Sequence, residues 1–326
     1  MKAVIIKSPG GPEQLLIDKR RKPVPKDDEI LIKVKAAAIN RTDIIQRKSG
    51  RNKYLDAPIL GVEVAGIVEQ VGENSDIQVG TRVMGLVNGG GYAEYAVMPM
   101  DRVMIIPENL SFVEGAAIPE VFLTAYQTLF WHGQLKERET VLIHAGGSGV
   151  GTAAIQLAKQ LKQAKVITTA GSHEKLDFVA QLGADIRISY KEQQFDTEVL
   201  KATKNKGVNV ILDFVGASYL NKNFNSIAVD GRWVLIGLLG GSEIEKFNLW
   251  NLMQKRIQLI GTLLTPRSDE YKSKLTKEFI DVVLPLFNKE MVKPIIDCTF
   301  TLEGVQEAHK HMESNANIGK IILQID

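Results

Sequence analysis

One cysteine, Cys298, stands in 326 residues. Its solitude excludes an intramolecular disulfide and any zinc site built from clustered cysteines. An excess of one charge is also missing: 40 basic and 38 acidic residues leave a net charge of +2, and neither sign gathers into a long run. A surface devoted to nucleic acid or lipid headgroups would concentrate lysine and arginine on one stripe, so neither partner is expected. No window approaches the ~18 uninterrupted apolar residues of a membrane span. The opening MKAVIIKSPGGPEQL turns polar too soon for a secretory signal, and a cytoplasmic location is expected. What is present is ordinary for a globular chain, 44% hydrophobic and 24% charged, at a length that supports two domains.

Up to about residue 120 the chain reads as short strands broken by turns: MKAVIIK, EILIKVKAAAI, EVAGIVEQVG, TRVMGLV and YAEYAVM, punctuated by PGGPE, GENSD and NGGG. That rhythm predicts a barrel-like, mostly antiparallel domain. Strands then alternate with helices: TVLIHA and TAAIQLAKQL, KVITTA and HEKLDFVAQLG, then NVILDFVG and RWVLIGLLG. Such alternation predicts a parallel sheet covered on both faces. After about residue 263 come two predicted helices, YKSKLTKEFIDVVLPLF and LEGVQEAHKHMESN, and a closing strand, GKIILQI. This tail is too short for a core of its own and is expected to return to the first domain.

Between TVLIHA and TAAIQLAKQL lies AGGSGVG, four glycines in seven residues. A strand, a glycine turn and a helix start form the context that a dinucleotide fingerprint requires, with bare amides at the helix N-terminus facing a pyrophosphate. Gly146 and Gly151 fit the outer positions of G-x-G-x-x-G, Ser148 replaces the middle glycine, and Gly149 and Val150 complete the turn. The alternative is a tight strand-to-helix turn with no ligand. The next strand ends at Gly171 and Ser172, followed by Lys175, where a ribose-binding acid is usual. A hydroxyl and an ammonium suit a 2′-phosphate, and Tyr190, closing the third strand, adds a second hydroxyl. NADPH is therefore expected over NADH. The other reading of Lys175 is a solvated helix face.

The stretches IHAGGSGVGTAAIQLAK, TAGSHEKL, DGRWVLIGLLGG and NIGKIIL, with AAAINRTDIIQR, ILGVEVAGIVEQVG and IPEVFLTAYQ upstream, resemble the zinc-free quinone oxidoreductases of the medium-chain dehydrogenase/reductase superfamily. The resemblance spans nearly the whole chain; it is of the zeta-crystallin type and nearest to the tumour-suppressor-inducible branch. It implies an α/β protein with a GroES-like β-barrel catalytic domain (1–120, completed by 264–326) and a Rossmann doubly wound parallel-sheet domain for NADPH (121–263). It also implies an active site in the cleft between them, and a homodimer. Cofactor contacts carried over are Asn40, Thr124, Val215, Gly216, Gly237, Leu238, Leu239, Leu263, Leu264 and Asn317. The leucines could equally be plain core.

Zinc-dependent members of the superfamily hold a catalytic metal with a cysteine, a histidine and an acid. Their cysteine position corresponds to Asn40 here and their histidine position to Val62; Glu63 alone would not hold zinc. His309 and His311 fall on a predicted surface helix, His132 and His173 near helix ends, and His144 is expected to pack at its strand end. No metal is expected. Hydride addition to an ordinary ketone makes an alkoxide that needs a strong electrophile, whereas a quinone yields a hydroquinone anion stabilised by its own ring. A small-molecule quinone thus fits a chain with no obvious general acid. Asn40 is the candidate to polarise its carbonyl, with a turn residue satisfied by backbone as the alternative, and Tyr54 is the candidate to line the pocket. The rival activities are NADPH-dependent reduction of 2-enals or enones, with Tyr54 as proton donor, and non-catalytic NADPH binding in a crystallin-like or RNA-binding protein.

Overall fold

Long apolar stretches of this chain become strands, and glycine, proline and asparagine punctuate them. The computed structural model of the protein describes residues 1–50, 59–73 and 76–326. In chain order the strands are β1 (Lys2–Ile6), β2 (Leu15–Lys19), β3 (Glu29–Ala38), β4 (Glu63–Val71), β5 (Arg82–Leu86), β6 (Tyr95–Pro99), β7 (Val103–Ile105), β8 (Thr140–Ile143), β9 (Lys165–Ala170), β10 (Ile186–Ser189), β11 (Val208–Asp213), β12 (Ile227–Leu235), β13 (Gln258–Gly261), β14 (Ile296–Thr301) and β15 (Lys320–Gln324). They fall into two units, Met1–Leu123 with Thr265–Asp326, and Thr124–Leu264.

The first unit holds a seven-stranded sheet, β14-β15-β3-β4-β5-β7, with β6 also paired to β3. Strand β3 organises it. Residues 29–33 pair with β6 and residues 36–38 with β15, while β4 runs along residues 30–37. A strand paired on both sides has no free edge, and EILIKVKAAA is also mostly buried along its length. Ile30, Ile32, Val34, Val64 and Val83 share one core with Val305, Met312, Ile321 and Leu323 from the C-terminal tail.

The second unit holds a six-stranded, all-parallel sheet in the order β10-β9-β8-β11-β12-β13. The chain starts at β8, winds outward through β9 and β10, then crosses back to β11 and winds the other way. This is the Rossmann order, and its switch point lies between β8 and β11, where ligands of open α/β sheets bind at the carboxyl ends of the strands.

Two local features add to or differ from the sequence reading. YKSKLTKEFIDVVLPLF forms two helices, Asp269–Val282 and Leu284–Asn288, rather than one; Pro285 sits in the first turn of the second, where its missing N–H is tolerated and the earlier helix cannot continue through it. The helix Pro119–Tyr126 runs on into a π-helical turn, Gln127–His132, which closes with Gly133 N donating to Thr128 O at 2.9 Å. Among the described residues no helix is long and apolar enough to cross a membrane.

Candidate functional site

The glycine turn leaves β8 and enters the helix Gly149–Lys162. Ser148 is the N-cap, its Oγ accepting from Gly151 N at 3.0 Å. That is why serine stands where the fingerprint has glycine: the position caps the helix. The amides of Gly149 and Val150, in the first turn, have no intrahelical acceptor. A Cβ on Gly151 would collide with the Ala145 carbonyl, and one on Gly146 with the Thr168 hydroxyl. A Cβ on Gly147, missed in the sequence reading, would lie 3.1 Å from Cδ of Lys175. The Lys175 stem thus lies against the turn. Ser172 caps the next helix, His173–Gln181, accepting from Lys175 N at 3.3 Å, and the Tyr190 hydroxyl lies close against Gly171. Gly146, Gly147, Gly171, Lys175 and Tyr190 are therefore neighbours.

Across the switch point, His144 is fully buried and ties the two halves of the sheet together. Its Nδ1 lies 3.0 Å from Thr169 Oγ1 and its Nε2 2.8 Å from Asn223 Oδ1. Asn223 Nδ2 donates to Asp213 Oδ2 at 3.1 Å, so its oxygen faces the imidazole and Nε2 carries the proton. Burial lowers the pKa of His144, against Asp213 and Asn223, which raise it. Asp213 is fully buried and accepts from four donors: Val215 N, Gly216 N, Asn223 Nδ2 and Trp233 Nε1. The crossing at Val215 and Gly216 is fixed by this carboxylate. Gly216 has φ +82°, and a Cβ there would lie 2.9 Å from Leu238 Cδ2. Gly237 N and Ile236 N donate to Asp213 O, which brings the two strand-end loops together. Leu238, Leu239 and Leu263 are exposed, Leu264 is buried, and Thr124 is buried at the N-terminal limit of this unit.

The first unit carries a second polar cluster. Asn40, nearly buried, donates from Nδ2 to Glu63 Oε1 at 2.8 Å and to Ala38 O at a longer 3.3 Å, and its Oδ1 accepts from Lys320 Nζ at 2.7 Å. Glu63 also accepts from Lys320 Nζ at 2.8 Å and from Glu120 N at 2.7 Å. Asn40 also stands at the N-cap of the helix Arg41–Ser49, so backbone groups and the buried Glu63 and Lys320 side chains together hold it. Asp43 accepts from Asn40 N, Gly61 N and Tyr92 Oη, yet burial pushes it up to about 6 against those donors. Glu120 is half-buried; burial, and then the Glu63 carboxylate, push it up to about 8. It is the acid that sequence reasoning missed, because only tertiary burial beside Glu63 marks it. Val62 is buried and apolar. Asn317 spends its amide on its own turn, donating to Gly319 O at 2.8 Å. Tyr54 lies outside the described residues.

Two family models match the chain: the alcohol dehydrogenase GroES-like domain over residues 26–108 and the zinc-binding dehydrogenase domain over residues 149–281. Human quinone oxidoreductase is 33% identical over 332 residues, 99% of this chain and 97% of its own. The chain belongs to the quinone oxidoreductase family. That family lies within the medium-chain dehydrogenase/reductase superfamily of nicotinamide-dependent oxidoreductases. The synaptic vesicle membrane protein VAT-1 homolog of Danio rerio is 31% identical over 338 residues, 99% of this chain and 69% of its own. Among solved structures, the Escherichia coli quinone oxidoreductase complexed with NADPH superposes at TM-score 0.90 with 28% identity, over 99% of this chain and 100% of that one. An NAD-dependent alcohol dehydrogenase superposes at TM-score 0.90 with 30% identity over 100% of both chains.

The quinone oxidoreductase family is nicotinamide-dependent, and three features of the second unit bear on where a dinucleotide would sit. The turn is glycine where any side chain would fill it, the first amides of the helix point their dipole out of the sheet edge, and a lysine stem borders the turn.

Proposed function

We propose that the chain is an NADPH-dependent quinone reductase, working on a small-molecule acceptor without a catalytic metal, as a cytoplasmic homodimer. The observation that carries this reading is the Lys175 stem laid along Gly147, beside a β9 end that bears Gly171 and Ser172 in place of a carboxylate. Lys175 would pair with a 2′-phosphate, Tyr190 would donate to it, and the Gly149 and Val150 amides would face the pyrophosphate. Bound NADPH supplies the hydride. Gly146, Ser148 and Gly151 set the turn, and Val215, Gly216, Gly237, Leu238 and Leu239 shape the far side of the sheet edge. Thr124, Leu263, Leu264 and Asn317 are kept as contacts on the strength of the resemblance. Asn40 would turn its less strongly held amide hydrogen, the one at 3.3 Å from Ala38 O, toward the reacting carbonyl, while Glu63 and Lys320 hold its other end. Tyr54 remains the proposed pocket-lining phenol.

A second reading, reduction of 2-enals or enones, is favoured by one observation: Glu120 holds a proton near neutral pH in the same cluster as Asn40. Carbon protonation needs such an acid, and general acid help is worth about 10²–10⁴-fold.

The homodimer is supported by the open edge of the six-stranded sheet. β13 ends the sheet, Leu259 on it is exposed, and the adjoining helix Leu249–Gln254 exposes Leu249, Trp250 and Met253. An unpaired apolar edge invites a second copy across a two-fold axis.

The test is kcat/KM for ortho-quinones, para-quinones and a 2-enal with each reduced nicotinamide, in the presence of a chelator. Quinone turnover with NADPH, unchanged by chelation, supports the first reading. Turnover of the 2-enal alone moves the assignment to the second, and turnover of neither removes both.

A further inference from the structure

We propose that Asp297, Cys298 and His311 form a three-ligand site for zinc or a similar borderline divalent transition metal, on the outer edge of the first unit. Their donor atoms, a carboxylate oxygen, a thiol sulfur and an imidazole nitrogen, all lie within 4.8 Å of one another. In a regular strand consecutive side chains point to opposite faces, so Asp297 and Cys298 could not converge. β14 is not regular here: Ile296 pairs with Lys320 and Cys298 with Ile321, two residues against one, so Asp297 is the extra residue of a bulge. Bulges turn side chains toward a common point. The opposing ligand comes from the last turn of the helix Val305–Ser314, where Ser314 Oγ donates to the His311 carbonyl at 2.7 Å.

Asp297 is already held for this role. Ile318 N donates to its Oδ1 at 2.7 Å, leaving Oδ2 to face His311 Nε2 at 2.6 Å. Four-coordinate zinc with sulfur, nitrogen and oxygen donors at about 2.0–2.3 Å needs donors roughly 3.3–3.8 Å apart. The trio meets that by opening the Asp297–His311 pair slightly and drawing Cys298 in by an ångström or less. Binding would displace the thiol proton, and His311 would shift its proton from Nε2 to Nδ1. One thiolate, one carboxylate and a neutral imidazole balance a dication. His311 and Asp297 are partly exposed, which leaves a fourth position open to water. The sulfur and nitrogen donors select against calcium and magnesium. The sequence reading placed His311 on a surface helix and expected no metal; the bulge that brings Asp297 and Cys298 toward it lies outside what that reading weighed. Metal here would clip the C-terminal helix to the sheet edge, whatever the enzyme's substrate proves to be.

The test reads metal binding, not activity. The purified full-length protein is titrated with cadmium and with zinc alone. The expected result is one equivalent bound, with a thiolate-to-cadmium charge-transfer band that is absent in Cys298→Ser. His311→Ala should weaken zinc binding at least tenfold, since loss of even an outer partner costs about that much. His173→Ala, altering an exposed histidine paired with Glu192, should change nothing. No charge-transfer band, or zinc bound by Cys298→Ser and His311→Ala as tightly as by the unaltered protein, would overturn the proposal. Should either variant fold poorly, cobalt spectra of the unmodified protein decide: intense four-coordinate bands with sulfur charge transfer support the site, and six-coordinate spectra overturn it.

Discussion

Lys320 Nζ lies 2.8 Å from Glu63 Oε1, and the two side chains are almost entirely closed off from solvent. An ion pair so placed survives only because its remaining valences are filled. The ammonium also donates to Ile39 O and Asn40 Oδ1, and the carboxylate accepts from Asn40 Nδ2 and Glu120 N. Removing one partner strands the other. Lys320→Met is expected to cost about 3–5 kcal/mol of stability. Lys320→Met combined with Glu63→Gln should lose less than that single change, because no uncompensated charge remains. Denaturant unfolding of both variants checks this, and a double variant no better than the single one would contradict it.

Glu120 gives the protein a distinctive pH dependence. Its folded value, about 8, lies above its ordinary value of 4.5. Between the two, the folded state holds a proton that the unfolded state has released, so stability falls as pH rises and levels off above about 8. Asp43 adds a fall of the same sign that ends near 6. Glu120→Gln should therefore flatten the stability profile between about 6 and 8 and leave the fall below it. A profile unchanged by that substitution would show that Glu120 is ionised at neutral pH.

Gly147 and Gly151 should fail in different ways. A side chain at Gly151 meets the Ala145 carbonyl, which cannot move without displacing the helix, whereas one at Gly147 meets only the flexible stem of Lys175. Gly147→Val is expected to keep its melting temperature and weaken NADPH binding at least tenfold. Gly151→Val should lose both stability and binding. Calorimetric titration and thermal melts separate the two, and normal binding by Gly147→Val would mean that the cofactor does not approach the turn.

Lys175→Ala should remove most of any preference for NADPH over NADH. The expected preference is at least tenfold, about 1.4 kcal/mol, and its measure is the ratio of the two dissociation constants. Equal constants in the unaltered protein would set this assignment aside.

Leu259→Lys puts charge on the exposed edge strand of the six-stranded sheet, and Trp250→Glu on the helix that precedes it. Light scattering after gel filtration should show a dimer for the original chain and a monomer for the double variant. A monomeric original would remove the homodimer from the proposal.

The Rossmann sheet was legible because its signal is local: apolar runs of strand length alternate with helical periodicity, and glycines mark the junction. The helix YKSKLTKEFIDVVLPLF was read as continuous because its apolar spacing carries through Pro285, whose backbone effect the spacing does not show. The cluster around Glu63 was beyond such reading. Asn40, Glu120 and Lys320 are brought to it from three elements far apart in sequence, and the raised pKa of Glu120 comes from burial that no neighbour in sequence announces. The Asp297–Cys298–His311 group was hidden by a bulge, which reverses the alternation that strand reading assumes. Ser148 looked like a defect in a motif until its capping bond was in view.

The four donors around Asp213 have a consequence for recognition. Val215 N and Gly216 N are turned inward to the carboxylate, and the carbonyls of Phe214, Val215 and Gly216 are taken by Leu239 N, Gly240 N and Tyr219 N. At Val215 and Gly216 each backbone N–H and each carbonyl thus has a partner within the fold. In the proposed reading this side would meet the cofactor chiefly by contour, as a template cut to one profile, and the reading of charge would fall to the glycine turn on the other side of His144.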